Sequence, residues 1–168
     1  MLELRYYGDP VLRKKAAPVE KFDDDLKEFA AQMIEAMREA DGVGLAAPQV
    51  GVSIRLAVID AGGGESPPYV LVNPEIVYSS ADTEDYEEGC LSMPGISLKI
   101  NRPARVSVKA QNENGEFYTI ENAEGLLSRA LQHETDHLNG ILFIDHVSPV
   151  QRVLLKSKLK KISEKQRE

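Results

Sequence analysis

The chain has 168 residues, of which 42% are hydrophobic and 28% charged, as expected for one compact domain with a hydrophobic core. No apolar run approaches the ~20 residues of a membrane-spanning helix, and residues 1–5 lack the pattern of a secretion signal. The single cysteine, Cys90, excludes an intrachain disulfide, and we therefore expect a cytoplasmic protein.

The net charge of −7 is distributed unevenly along the chain. Residues 149–168 carry seven Lys/Arg and two Glu, a net +5, which leaves 13 Lys/Arg and 25 Asp/Glu, a net −12, for residues 1–148. An acidic body argues against nucleic acid as the substrate, whereas a basic end suits a separate partner. We predict a body at 1–148 and a basic C-terminal helix at 149–168 that packs on the body or extends from it.

Local patterns predict helices separated by strands. In chain order they are a helical turn at 10–14, a helix at about 24–40, strands at 54–60 and 69–73, a hairpin of strands at 105–111 and 116–121, a helix at about 124–139 and a last helix from 149 to about 166. Asn114-Gly115 is a strong hairpin turn. Hairpins followed by a buried helix indicate an α+β domain with a mostly antiparallel sheet.

The second long helix carries His133-Glu134-Thr135-Asp136-His137. Residues four apart lie on one face of a helix, so the two imidazoles can hold one metal ion, and Glu134 can reach a water on it. Leu126 and Ala130 continue the same stripe, which turns the imidazoles towards the protein interior. The alternative is a pair of buried histidines whose ring nitrogens are hydrogen-bonded within the core. That alternative does not explain the acidic residue between them.

Two histidines leave a catalytic metal site one protein ligand short. Phe143 stands where a metzincin has its third histidine, and Glu164 lies in the basic end, which is unsuited to a buried ligand. We expect His146 at the surface or as a cap. Cys90 remains, beside a glycine in a polar segment, and a thiolate with two imidazoles leaves a fourth position open for water.

A third segment, Gly42–Gln49, combines two glycines and two alanines with a proline before Gln49. Such a backbone can approach a ligand closely, and the amide of Gln49 is a potential hydrogen-bond donor. Taken alone, the segment fits a turn between a helix and a strand equally well.

Together the three segments resemble the peptide deformylase family of bacterial type. The family is known by Gly-x-Gly-Leu-Ala-Ala-x-Gln, Glu-Gly-Cys-Leu-Ser and Gln-His-Glu-x-Asp-His-Leu, which stand here at 42–49, 88–92 and 132–138. Residues 7–13 also look like its N-terminal segment. The resemblance implies a single α+β domain, with a mostly antiparallel sheet packed around a central metal-binding helix and residues 1–148 as the catalytic domain. It implies a hydrolase that removes the N-formyl group from the initiator methionine of new polypeptides and releases formate.

The resemblance also implies a role for each site residue. Cys90, His133 and His137 become the ligands of one Fe²⁺, which Zn²⁺, Ni²⁺ or Co²⁺ can replace. Glu134 becomes the general base, and the Gln49 amide and the Leu91 backbone N–H become the donors to the oxyanion. The residues expected around the methionyl substrate are Val43, Gly44, Tyr86, Leu126, Arg129 and Ala130. Glu88 and Arg102 are expected to pair beside the ligands.

The partners implied are N-formyl-methionyl nascent peptides and, through the basic helix, the ribosome near its exit tunnel, with neither membrane nor DNA. We expect six residues to form one apolar side of that helix, opposite its lysines and arginines: Val150, Val153, Leu154, Leu155, Leu159 and Ile162. Two other functions compete, an endopeptidase of another zinc class and a non-catalytic metal-binding module. Glu134 argues against the module, since a structural zinc has four protein ligands and needs no base.

Overall fold

The computed structural model describes residues 2–166. Its helices are α1 (Asp24–Glu39), α2 (Gly125–Leu138) and α3 (Pro149–Gln166), and its strands are β1 (Gly44–Ala46), β2 (Leu56–Ile59), β3 (Tyr69–Ser79), β4 (Thr83–Gly89), β5 (Ser97–Pro103), β6 (Val106–Gln111) and β7 (Phe117–Ala123). Short 3₁₀ turns lie at Pro10–Arg13, Ala47–Val50 and Phe143–His146. Among the described helices, none is long and apolar enough to cross a membrane.

The strands form two sheets, one of five strands in the order β1-β2-β3-β6-β7 and one of two strands, β4-β5. Every neighbouring pair is antiparallel. Helix α2 packs against β1, β2, β3 and β6. The predicted α+β class, with an antiparallel sheet packed around a central helix and a further helix at the C-terminal end, is confirmed.

The five-stranded sheet is covered on both faces, which explains why all four residues of β2 are buried. Leu56 and Val58 belong to the core cluster of α1, together with Met33. Ile59 belongs to the cluster of α2, together with Leu131. Side chains of this size each contribute roughly 1.5–3 kcal/mol when fully buried. The helix with the two histidines is therefore anchored by its apolar residues on a rigid sheet.

The second sheet is absent from the sequence-based prediction. Strand β4 reads Thr-Glu-Asp-Tyr-Glu-Glu-Gly and lacks the apolar alternation that marks a strand. It forms because it pairs along its whole length with β5, from Thr83 opposite Pro103 to Gly89 opposite Ser97. The predicted strand at 69–73 is likewise too short, since β3 continues to Ser79 beyond an irregularity in its pairing between Val72 and Glu75.

The prediction for the C-terminal helix is wrong in one respect. Leu155, Leu159 and Ile162 pack against the body in a cluster with Tyr7, and Leu159 is 5% exposed. The other three predicted apolar residues, Val150, Val153 and Leu154, are 71%, 69% and 76% exposed. At 3.6 residues per turn the two sets lie on opposite sides of the helix, so they cannot form one face. Arg167 and Glu168, at the end of the predicted basic helix, lie outside the described residues.

Candidate metal and substrate site

Three potential metal ligands meet between the small sheet and α2. The ligand atoms of Cys90, His133 and His137 all lie within 4.8 Å of one another. Cys90 Sγ lies 3.4 Å from His137 Nε2, and the two Nε2 atoms lie 3.2 Å apart. Cys90 directly follows β4, and both histidines are buried on α2. The structure thus brings together the three residues that the resemblance names as ligands.

Glu88 determines the orientation of the His133 ring. Its Oε1 lies 2.9 Å from His133 Nδ1, so Nδ1 donates a hydrogen bond to the carboxylate and Nε2 points towards Cys90 and His137. His137 Nδ1 is buried and has no hydrogen-bond partner among the described residues. One sulfur and two imidazole nitrogens converging in this way form a donor set for Zn²⁺, Fe²⁺, Co²⁺ or Ni²⁺. The residues present therefore fit a divalent metal ion.

The surroundings of this cluster favour positive charge. Burial opposes charge on His133, but the carboxylates of Glu134 and Glu88 and the sulfur of Cys90 outweigh it and raise the pKa of His133 well above its ordinary value. Burial and then the charge on His133 lower the pKa of His137 well below its ordinary value. The carboxylates that favour one positive charge on His133 would likewise favour a metal cation beside it, whereas a second charge on His137 is disfavoured.

A buried charge network holds Glu88 in place. Arg102 donates to both carboxylate oxygens of Glu88, at 2.7 and 3.0 Å, and Arg129 donates to it at 3.0 Å. Burial raises the pKa of Glu88, but the hydrogen bonds from His133 and Arg102 outweigh it and lower it to about 2. Arg102 also donates to Asp136 at 2.8 Å. Glu88 is therefore an ionised acceptor for His133, and the expected pairing of Glu88 with Arg102 is present.

Glu134 lies on α2 beside the cluster and is 5% exposed. Burial raises the pKa of Glu134 to about 7, and its Oε1 has no hydrogen-bond partner among the described residues. The opposite wall is the main chain of Gly44, where an added Cβ would lie 2.6 Å from Glu134 Oε2. Any larger residue at position 44 would therefore collide with the carboxylate.

Gln49 is buried in the 3₁₀ turn after β1, with its side chain held at both ends. Its Oε1 accepts from the Ala46 N–H at 2.9 Å, which directs Nε2 towards Ser92 Oγ at 3.1 Å and Cys90 Sγ at 3.6 Å. A side-chain amide fixed in this way is a preorganised donor beside the candidate ligands. Leu91, the second expected donor, follows Cys90 and lines the same cavity.

These groups border a cavity of about 390 Å³. All the residues expected around the substrate line it: Val43, Gly44, Tyr86, Leu126, Arg129 and Ala130. The Arg129 guanidinium lies 5.4 Å from the Tyr86 ring centre and donates a hydrogen bond to Glu88. Because the charged group is engaged in this way, the alkyl part of Arg129 is available to contact an apolar ligand. Leu126 is 37% exposed and stands at the mouth.

Sequence reasoning missed five lining residues: Asp41, Glu87, Met93, Gly95 and Ile96. Met93 and Ile96 are buried and follow Cys90 closely in the chain, so their proximity to a ligand was the available signal. Asp41 and Glu87 carry no such signal, because acidic residues are common on every surface. His146, expected at the surface or as a cap, is partly exposed and lies 2.8 Å from Asp136, outside the ligand cluster.

The chain is similar to known proteins along almost its entire length. A family model described as polypeptide deformylase matches residues 1–153. The peptide deformylase of Thermotoga maritima is 53% identical over 163 residues, 97% of each chain. A crystal structure of the Thermotoga maritima peptide deformylase aligns with 89% of this chain and over 99% of the Thermotoga chain, with a TM-score of 0.84. A peptide deformylase structure from Legionella pneumophila is 46% identical, covers 99% of this chain and 97% of its own, and has a TM-score of 0.91.

Residues from all three sequence segments line one cavity. The family match and the sequence identity over nearly the whole chain agree with this arrangement. The chain therefore belongs to the polypeptide deformylase family, metal-dependent hydrolases that remove the N-formyl group from the initiator methionine of newly made polypeptides and release formate.

Proposed function

We propose that Cys90, His133 and His137 hold one divalent metal ion and that Glu134 is the general base for hydrolysis of the formyl group. The observation that supports this most directly is the convergence of the three ligand atoms within 4.8 Å, beside a buried carboxylate one oxygen of which has no hydrogen-bond partner among the described residues. A divalent metal at this place lowers the pKa of water towards neutrality and polarises a carbonyl oxygen.

Glu134 takes a proton from the attacking water and delivers it to the leaving amine. Its Oε1 accepts no hydrogen bond from the part of the chain that the structure describes and so leaves an acceptor available for that water. Gly44 keeps the carboxylate within reach of the cavity, because its backbone permits the close approach. The same carboxylate thus serves both halves of the reaction.

Two donors stabilise the oxyanion that forms when water adds to the formyl carbon, the Gln49 amide and the Leu91 backbone N–H. The bond from Ala46 to Gln49 Oε1 fixes the orientation of the amide before the substrate arrives. Leu91 is adjacent to Cys90, which brings its main chain to the same end of the cavity.

The methionine side chain enters the apolar part of the cavity, against Val43, Tyr86, Leu126, Ala130 and the alkyl part of Arg129. These surfaces suit an unbranched, adaptable side chain. Gly44 contributes backbone hydrogen bonds to the peptide, since β1 is an edge strand among the described strands and can pair with it.

We infer that the native metal is Fe²⁺, with Zn²⁺, Ni²⁺ or Co²⁺ able to replace it, since the donor set accepts all four. The test is to measure formate release from formyl-Met-Ala and metal content on the same anaerobically purified sample. We expect turnover that scales with bound metal. Cleavage of internal peptide bonds without formate release would point instead to an endopeptidase.

Residues 1–148 form the catalytic domain in this proposal, and α3 is a helix docked on it through Leu159 and its neighbours. The exposed lysines of α3 meet ribosomal RNA near the exit tunnel, which brings the enzyme to nascent chains in the cytoplasm. Contacts with phosphates weaken steeply with salt. We expect Lys156→Glu with Lys160→Glu to reduce co-sedimentation with ribosomes and to leave hydrolysis of formyl-Met-Ala intact. Unchanged co-sedimentation at low salt would remove α3 as the anchor.

A further inference from the structure

A continuous chain of hydrogen bonds leads from the protein surface to one of the candidate metal ligands. His146 Nε2 lies 2.8 Å from Asp136 Oδ2, and Arg102 Nη1 donates to the same oxygen at 2.8 Å. Arg102 also donates to both oxygens of Glu88, at 2.7 and 3.0 Å. Glu88 Oε1 in turn accepts from His133 Nδ1 at 2.9 Å. His146 is thus connected to the His133 ring through three intermediate side chains.

His146 is the outer end of this chain. Its side chain is 34% exposed, whereas Arg102 and Glu88 are buried. Asp136 Oδ2 already accepts from Arg102, so the His146 ring acts as a second donor to that oxygen. Asp136 is only partly buried, and with a single donor its carboxylate would be free to rotate towards water. His146 therefore fixes the carboxylate in the position where the Arg102 guanidinium meets it.

The 3₁₀ turn that ends at His146 is itself held firmly against the body. Asp145 in this turn accepts two hydrogen bonds from Arg13, at 2.7 and 3.1 Å. At the other end of the turn, the buried Phe143 ring lies 5.7 Å, centre to centre, from the His133 ring. The same turn thus contacts α2 at two places, once at a ligand ring and once at the carboxylate that ends the hydrogen-bond chain.

We propose that His146 is a positioning residue that holds the His133 ring in the orientation needed for metal binding, an inference that rests on the proposed metal site. His146 acts through the Asp136 carboxylate and is not among the residues that line the cavity in the described part of the chain. A ring that is held less firmly loses more freedom when the metal binds, which weakens binding. Loss of a group bonded directly to a ligand typically costs about 10- to 100-fold in metal affinity. His146 is further from the ligand, so we expect a loss of about 3- to 10-fold.

The test measures the Zn²⁺ affinity of the full-length, metal-free protein by competition with a chelator at one fixed pH. His146→Ala should weaken Zn²⁺ binding by about 3- to 10-fold. His146→Gln should restore most of the affinity, because its amide can donate to Asp136. The control is Arg38→Ala, which removes a partly exposed ion pair with Asp60, at 3.3 Å, whose members do not line the cavity. This control should bind Zn²⁺ like the wild type.

A double-mutant cycle tests whether the effect passes through Asp136. In an Asp136→Ala background, His146→Ala should cause little further loss of Zn²⁺ affinity, because the connection is already broken. A second readout is the NMR resonance of the His133 Nδ1 proton in the Zn²⁺-loaded protein, which reports the hydrogen bond to Glu88 directly. It should move in His146→Ala, return in His146→Gln and stay unchanged in Arg38→Ala. A purely structural role would lower Tm without moving this resonance.

Four outcomes would overturn the inference and leave the proposed metal site standing. They are a Zn²⁺ affinity of His146→Ala equal to that of the wild type, an equal loss in Arg38→Ala, no recovery in His146→Gln, and an undiminished loss in the Asp136→Ala background. The last would show that His146 acts by another route. A wild-type protein that binds no Zn²⁺ would instead overturn the proposed metal site itself.

Discussion

The main chain of Gly44 lies directly against the carboxylate of Glu134: a Cβ at position 44 would stand 2.6 Å from Oε2 and 2.9 Å from Cδ. The contact joins the edge strand β1 to the metal-binding helix α2. It also leaves Glu134 no room to withdraw from the cavity on that side.

Gly44→Ala should therefore lower kcat/KM for formyl-Met-Ala by at least tenfold, because the methyl group displaces the proposed base from its position. Gly89→Ala is the matched control, since a Cβ there meets only Ile96 O at 3.9 Å, an ordinary contact. Steady-state kinetics, with bound metal and Tm recorded for each variant, separate displacement from unfolding. Similar losses in the two variants would contradict the steric explanation.

Glu134→Gln should retain the metal but lose about 10²–10⁴-fold in kcat. The amide keeps the size of the side chain and both imidazoles remain, but no group is left to accept the water proton. Formate release and metal content are measured on the same preparation. Near wild-type turnover would show that another residue is the base.

Cys90→Ala should strip the metal or greatly weaken its binding, since two imidazoles alone remain, while Cys90→Ser should retain part of it. The measurement is metal per chain after dialysis against a chelator. If Fe²⁺ is the native metal, wild-type activity should also decay in air as iron and thiolate oxidise. Full occupancy in the alanine variant would exclude Cys90 as a ligand.

Gln49→Leu should lower kcat by about 10²–10³, the usual cost of one oxyanion donor. It also leaves the buried Ala46 N–H without its acceptor, which costs about 1–3 kcal/mol of stability. Gln49→Glu keeps an acceptor for Ala46, removes the donor and adds a negative charge beside the oxyanion, so its loss in kcat should be at least as large as that of Gln49→Leu. An effect on KM alone would make Gln49 a substrate-binding residue.

Asp145 provides a pH-dependent prediction away from the site. Burial raises the pKa of its carboxyl, but the hydrogen bonds from Arg13, at 2.7 and 3.1 Å, and from the Leu142 N–H outweigh burial and lower it. The pKa of the carboxyl is near 4 in the unfolded chain and lower in the folded protein. The ionised carboxylate therefore stabilises the fold above about pH 4, and this stabilisation is lost as the pH falls through the pKa of the folded state. Asp145→Asn should thus be less stable by about 0.5–1 kcal/mol at pH 7. The difference in Tm should shrink below about pH 4; a constant difference down to pH 2 would contradict the ionic explanation.

The sequence by itself determined the family and predicted which side chains meet at the candidate site. His133 and His137 are four residues apart on a helix, so local geometry alone aligns their rings. The α+β class followed from apolar periodicity and turn residues, both of which act over short distances. The resemblance of the three segments to the family then named Cys90 and Gln49 as candidate site residues, since the local pattern around Gln49 fits a turn equally well.

Tertiary structure decided what depends on pairing between distant segments. The acidic strand β4 has no apolar pattern and exists because β5 pairs with it, and that pairing brings Glu88 to His133 and to Arg102. The buried side of α3 was set by contact with the body and not by composition. Asp41 and Glu87 line one cavity only because the segment before β1 and the end of β4 both border it.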